Sequence, residues 1–283
     1  MKHPLVLLLI TGIVVVGLVY SMREPGSAEN GAGVEEGEQA AALRLYCAAS
    51  NRAVVEAIRQ RYEAECGRRV EIEFGPSQTL LSSIEVSGQG DLYLPADDSY
   101  LTLARERGIV RDVVPLASMR LAVCVPKGNP AGITTLRDLM RRDVRLVQAQ
   151  PDAAAVGKLT HDLLAPTGLW EPLRQQTIAL RSTVTEVAND VKLGAADAGI
   201  VFDAVLSTYP ELEAVFVPEL DAGVAHISVG VVARSSQPAR ALHLARYLAA
   251  RDRGQEDYAR MGFTVGQGDL WADEPKGAVQ PVH

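Results

Sequence analysis

Residues 43–75 read LRLYCAASNRAVVEAIRQRYEAECGRRVEIEFG, and this stretch decides the fold class. Leu43–Cys47 is a short apolar run of strand type. Asn51–Glu65 then carries Val54, Val55, Ile58 and Tyr62 at helical spacing, so the four share one face. Gly67 stops that helix, because glycine takes the left-handed conformation of a helix end without steric penalty. Val70–Phe74 is the next strand. Strand, helix and strand in this order form the repeating unit of a parallel sheet with right-handed crossovers.

The pattern continues toward the C-terminus. Gln78–Val86 reads as a helix, Asp91–Leu94 as a strand, and Asp98–Arg107 as a helix ended by Gly108. A long strand, Met119–Pro126, leads into the turn cluster Lys127-Gly128-Asn129-Pro130. A second series follows: helix Thr135–Arg141, strand Val144–Ala149, helices Ala155–Leu164, Glu171–Gln176 and Val184–Leu193, and strands Ala198–Phe202 and Ala214–Val217. His226–Ala233 is again long and Val-rich, and helices at Pro238–Ala250 and Gln255–Met261 close the series. Two α/β series joined by two long strands predict two lobes with two crossing strands. Lobe 1 is expected to be discontinuous, 41–122 and 226–283, and lobe 2 to span 123–225. A ligand cleft between lobes is expected at the carboxyl ends of the strands.

Toward the N-terminus, Lys2 and His3 precede an apolar run from Pro4 to Tyr20. Residues 1–21 therefore read as a signal peptide or an N-terminal membrane anchor, and the run is at the short edge of what spans a bilayer. Val19-Tyr20-Ser21 is a passable cleavage site, and no cysteine stands near it to take a lipid. Residues 22–40, MREPGSAENGAGVEEGEQA, hold almost no large apolar side chain and read as a flexible tether. Either alternative for the first segment exports the rest of the chain.

Composition agrees with an α/β class. The chain has 283 residues, 47% of them hydrophobic and only 5% aromatic, with a formal net charge of −7. An acidic chain argues against a nucleic-acid partner, which needs a basic face. Export permits disulfides, but Cys47, Cys66 and Cys124 are an odd number. Cys47 and Cys124 lie within apolar strand runs and read as small buried hydrophobes, with a Cys47–Cys66 bridge left open.

The sequence lacks an enzyme's motifs. No G-x-S-x-G elbow occurs. Gly157-Lys158 matches the end of a phosphate-binding loop, but Asp152 stands where the first glycine belongs and Leu159 where Ser or Thr should follow. The five histidines show no H-x-x-x-H pair, so no metal site is expected. The adjacent Asp97 and Asp98 read as capping groups at a helix start. The chain is expected to be neither an enzyme nor a cofactor protein.

Strand-to-helix turns supply hydrogen-bond donors instead. Ser50 opens the first helix and Ser77 the second, each offering a hydroxyl and an amide. Plain N-capping is the alternative use of such serines. Ala155-Val156-Gly157 opens a helix with small residues that let backbone approach a ligand. Thr183-Val184 opens another, with Ser182 or Thr183 as its cap.

At these residues the chain resembles the molybdate-binding periplasmic proteins of ABC importers. LYCAAS is similar to their first strand with its binding serine, and FGPSQTLLSSIE to their second binding loop. GDLYLPADDSYL, VQAQPDAAAVGK, STVTEVANDVKLGAADAGIVF and YARMGF follow in the family's order. The resemblance spans nearly all of 43–265. It implies a type II periplasmic-binding-protein fold binding molybdate or tungstate through Ser50, Ser77, Val156 and Val184. A family Tyr hydroxyl falls on Phe202 here, a departure that removes one donor, for which Tyr209 or Ser207 are candidate substitutes. Asp203 beside it would repel an anion if it pointed inward.

The resemblance also implies a periplasmic or extracytoplasmic monomer that delivers its oxyanion to an ABC permease in the cytoplasmic membrane. Two alternatives accompany this reading: the same fold binding another oxyanion or small organic acid, and a membrane-anchored sensory module without transport.

Overall fold

Strand β1, Leu43–Ala48, lies between β2, Val70–Gly75, and β3, Leu92–Leu94, and pairs parallel with both. The computed structural model describes residues 41–271. The segments read as signal or anchor (1–21) and tether (22–40), and the last twelve residues of the expected first lobe, lie outside the described residues. Helices α1 (Arg52–Cys66), α2 (Ser77–Ser87) and α3 (Ser99–Glu106) connect these strands and lead onward, as the periodicity predicts. Val54, Val55, Ile58 and Tyr62 are the buried face of α1. Each such side chain contributes about 1.5–3 kcal/mol by leaving water. Gly67 ends α1 at φ 64°, its N–H donating to Glu63 O at 3.0 Å.

The sheet is mixed rather than parallel throughout. Strand β4 runs from Val110 to Pro126, nine residues earlier than its apolar core at Met119 predicts. It pairs antiparallel with β9, Val224–Val232, from Val110 to Arg120. Exposed residues such as Arg111 and Asp112 break the apolar pattern there, and pairing with β9 extends the strand regardless.

At Leu121 strand β4 changes sheets. Its second half pairs antiparallel with β7, Ala198–Phe202, and with β8, Leu212–Val215. The parallel strands β5 (Leu146–Ala149) and β6 (Thr177–Arg181) complete this second sheet. β6 escapes the sequence pattern because it is a short edge strand whose apolar run is only Ile178-Ala179-Leu180, with Ile178 and Leu180 exposed. Helices α4 (Ala155–Leu164), α5 (Trp170–Gln176) and α6 (Val184–Lys192) belong to this half. Leu136–Met140, expected as α-helix, is a 3-10 turn closed by a capping box between Thr135 and Asp138. A second 3-10 segment, Asp203–Thr208, follows β7.

The chain returns to the first sheet at its end. Helices α7 (Pro238–Ala249) and α8 (Gly254–Arg260) pack beside α1. Arg61 on α1 meets Asp257 on α8 at 2.6 Å, and the Tyr62 hydroxyl lies 3.0 Å from His243 Nδ1 on α7. The short strand β10, Thr264–Val265, pairs with Ser118 and Ala117 of β4. Cys47 and Cys124 are fully buried, and no disulfide joins the three cysteines. Burial pushes both thiols up, Cys124 to about 12. Among the described residues no helix is long and apolar enough to cross a membrane.

Candidate functional site

Ser50, Ser77, Val156, Val184 and Phe202 come from five separate strand ends, and all five border one small cavity. Ala49, Ala96, Ala154, Ala155 and Thr183 fill the gaps between them. Small side chains are required here because the walls are backbone. Each of β1, β2, β5, β6 and β7 ends at this point, so the turns after them converge.

The first turns of α2, α4 and α6 start at the wall. Ser77 and Val184 are first residues of their helices and Val156 is a second residue. Their N–H groups therefore have no acceptor within their own helix. Three helix starts aimed at one point make an anion-binding environment without any ionised side chain. No residue that lines the cavity carries a charge.

The two serines do not cap their helices. The Ser77 hydroxyl oxygen accepts from Ala96 N at 3.1 Å, and the Ser77 carbonyl accepts from the Tyr93 hydroxyl at 2.8 Å. Burial pushes the Tyr93 phenol well up, so it stays a donor. The Ser50 hydroxyl oxygen accepts from Asn51 Nδ2 at 3.4 Å. With both oxygens already accepting, each hydroxyl has its proton left to donate. By contrast Thr183 does cap α6, its hydroxyl accepting from Glu186 N at 3.2 Å and Glu186 answering on Thr183 N at 3.0 Å.

The cavity is small. About 20 Å³ is open to the centre of a water-sized sphere. A sphere of that volume has a radius of about 1.7 Å, the scale of one bond in a tetrahedral oxyanion. The cavity is therefore on the scale of a single small ion. A larger groove of about 890 Å³ lies between β4, α7 and residues 264–271, and none of the five residues borders it.

Residues around the cavity are placed by contacts the sequence does not reveal. Phe202 is fully buried and borders the cavity, and its side chain carries no donor. Asp203 turns away from it, its Oδ1 accepting from Arg120 N at 2.9 Å and Ala204 N at 2.8 Å. Tyr209 donates to Thr185 O at 3.4 Å, and neither it nor Ser207 reaches the cavity wall. The Asp97 carboxylate accepts from Ser99 N at 2.9 Å, as a capping group should. Asp98 departs from that role: it accepts from the Ser228 hydroxyl at 2.9 Å, and burial raises its pKa. Sequence reasoning missed Ala96, Tyr93 and Asn51. The only signal for them was their position next to strand ends.

Comparison with known proteins identifies the family and the fold. The family model for bacterial extracellular solute-binding proteins matches residues 43–264. The molybdate-binding protein ModA of Mycobacterium tuberculosis is 28% identical over 239 residues, covering 82% of this chain and 88% of that one. The periplasmic molybdate-binding protein of Azotobacter vinelandii superposes with a TM-score of 0.68 at 17% identity, covering 80% of this chain and all of that one (100%). The sulfate-binding protein SubI of M. tuberculosis superposes at 0.69 with 18% identity, covering 78% and 86%. The two superpositions show the fold: two lobes of the type II periplasmic-binding class.

Proposed function

The chain belongs to the bacterial extracellular solute-binding protein family, and from that premise we propose that it captures a tetrahedral oxyanion of the molybdate or tungstate type for an ABC importer. The observation that supports this reading is the convergence of Ser50, Ser77, Val156 and Val184 on one uncharged cavity with room for a single such ion. Helix-start amides and two hydroxyls with free protons supply donors only. A fully ionised oxyanion has acceptors only, so the two sets match. The protein then acts by binding and release, as an extracytoplasmic monomer that hands its ion to a membrane permease.

A second reading keeps the site and changes the ion. Phe202 leaves the cavity one donor short of the tyrosine-bearing pattern. A charge-assisted hydrogen bond contributes about 1.5–3 kcal/mol, so its absence weakens discrimination between oxyanions. Sulfate is the natural competitor on this reading. The small cavity argues against a bulky organic acid. Calorimetric titration of the full-length protein with molybdate, tungstate and sulfate separates these readings. Saturable heat with molybdate or tungstate at lower concentration than sulfate supports the first. The reverse order supports the second, and no heat with any of the three overturns both.

A further inference from the structure

Behind the wall of the proposed anion site, against Ser50, lies a side chain whose hydrogen bonding is half complete. Asn51 is fully buried, its Nδ2 donating to the Ser50 hydroxyl oxygen at 3.4 Å. Its Oδ1 is buried too and has no hydrogen-bond partner. An amide presents a donor at one end and an acceptor at the other, and a half-turn exchanges them. In the observed orientation Ser50 accepts from Asn51 and keeps its proton for the cavity. After a half-turn Oδ1 takes the Ser50 proton, and the hydroxyl offers the cavity a lone pair.

Each orientation makes one bond to Ser50 and leaves one amide end unpaired. The buried surroundings therefore favour neither strongly, and the bound ion tips the balance. Ser77 has no such freedom, because its oxygen accepts from the backbone N–H of Ala96, which cannot reverse.

We propose that Asn51 is a positioning residue that determines which protonation state of an oxyanion the site accepts. Facing Ser50 with Nδ2, it holds that hydroxyl as a donor to a fully ionised ion. Facing Ser50 with Oδ1, it makes the hydroxyl an acceptor for the proton of a hydrogen oxyanion. The inference rests on the reading of the cavity as an anion site.

The test compares ions of equal charge. Full-length wild type, Asn51→Asp and Asn51→Leu are titrated with sulfate, molybdate and hydrogen phosphate at about pH 8. All three ions are then chiefly dianions, but only hydrogen phosphate carries a proton. A new charge at position 51 repels each alike, so the ratio of affinities isolates the proton. A carboxylate at 51 can only accept, so Asn51→Asp is expected to lower the preference for the ionised ions over hydrogen phosphate at least about tenfold. Asn51→Leu, close in volume and without polar atoms, frees the hydroxyl and is expected to lower the preference by less. In a Ser50→Ala background, Asn51→Asp should leave the ratio unchanged. A ratio unmoved in both single variants, with binding retained, overturns the role of Asn51. If circular dichroism shows Asn51→Asp unfolded, the Asn51→Leu ratio decides. A wild type that binds none of the ions overturns the anion site itself.

Discussion

The backbone N–H of Gln78 donates to the carbonyl oxygen of Ala153 at 3.3 Å, joining the first turn of α2 to the loop before α4. These two residues follow strands of different sheets, β2 and β5, and flank the cavity wall, Gln78 next to Ser77 and Ala153 next to Ala154. The bond therefore joins the two halves beside the cavity, and closure of these halves on a ligand is expected to hold it. The Leu80 N–H, by contrast, is satisfied inside its own helix start by Pro76 O at 3.0 Å. Adding a binding oxyanion is expected to slow hydrogen exchange at the Gln78 amide at least about tenfold, with a smaller change at Leu80. Equal changes at both positions would show that ligand binding does not act through this closure.

Ser77→Ala removes the hydroxyl proton that the proposed site would offer an ion and leaves the Ala96 N–H without its acceptor. Oxyanion affinity is expected to fall about ten- to a hundredfold, matching a lost charge-assisted bond of about 1.5–3 kcal/mol. Ser50→Ala should act in the same direction. Calorimetry reads the affinity and a thermal melt confirms the fold. Unchanged affinity in both variants would refute the site.

Phe202 borders the cavity and is wholly removed from solvent. Phe202→Tyr adds a hydroxyl donor at this wall, and molybdate binding is expected to tighten about tenfold. Equal or weaker binding in the same titration would mean that the new hydroxyl points elsewhere.

Gly157 lets α4 approach strand β5 at backbone distance. A Cβ there would lie 2.4 Å from Ala149 O and 2.8 Å from Gln150 O. Both obstacles are main chain, so the helix must move rather than a side chain. Gly157→Ala is expected to destabilise the protein by about 1–3 kcal/mol in urea unfolding. It should also weaken oxyanion binding, because the Val156 amide moves with the helix. Stability within a few tenths of wild type would show that the helix has slack.

Tyr258 tests a different feature. Its hydroxyl is buried with no partner, and burial pushes its pKa well above the usual phenol range. Deleting an unsatisfied group relieves a desolvation penalty, so Tyr258→Phe should leave stability unchanged or raise it by up to about 1 kcal/mol. Chemical denaturation measures this, and a clear loss of stability would reveal an unrecognised partner.

How the residues reach these positions separates what local sequence reveals from what it hides. The helix at α1 is legible because Val54, Val55, Ile58 and Tyr62 repeat with helical period and Gly67 marks its end. The strand-to-helix turns at Ser50, Ser77, Val156 and Val184 are legible for the same reason, and so are the residue types suited to an anion. β6 and the first half of β4 are not legible, because strand pairing with distant partners overrides a local pattern that is too short in β6 and too polar in β4.

The sequence by itself determined the α/β class, the order of most elements and which turns could present donors. Tertiary structure decided how those donors are used. Leu121 is where β4 leaves one sheet for the other, because β9 pairs with it up to Arg120 and β7 from there on. Arg120 draws Asp203 away from the cavity, Thr185 takes the Tyr209 hydroxyl, and Ala96 and Asn51 orient the two serine hydroxyls. The physical reason is range. Periodicity and capping act within a few residues, whereas most of these contacts join groups far apart along the chain, which only the folded arrangement brings within hydrogen-bond distance.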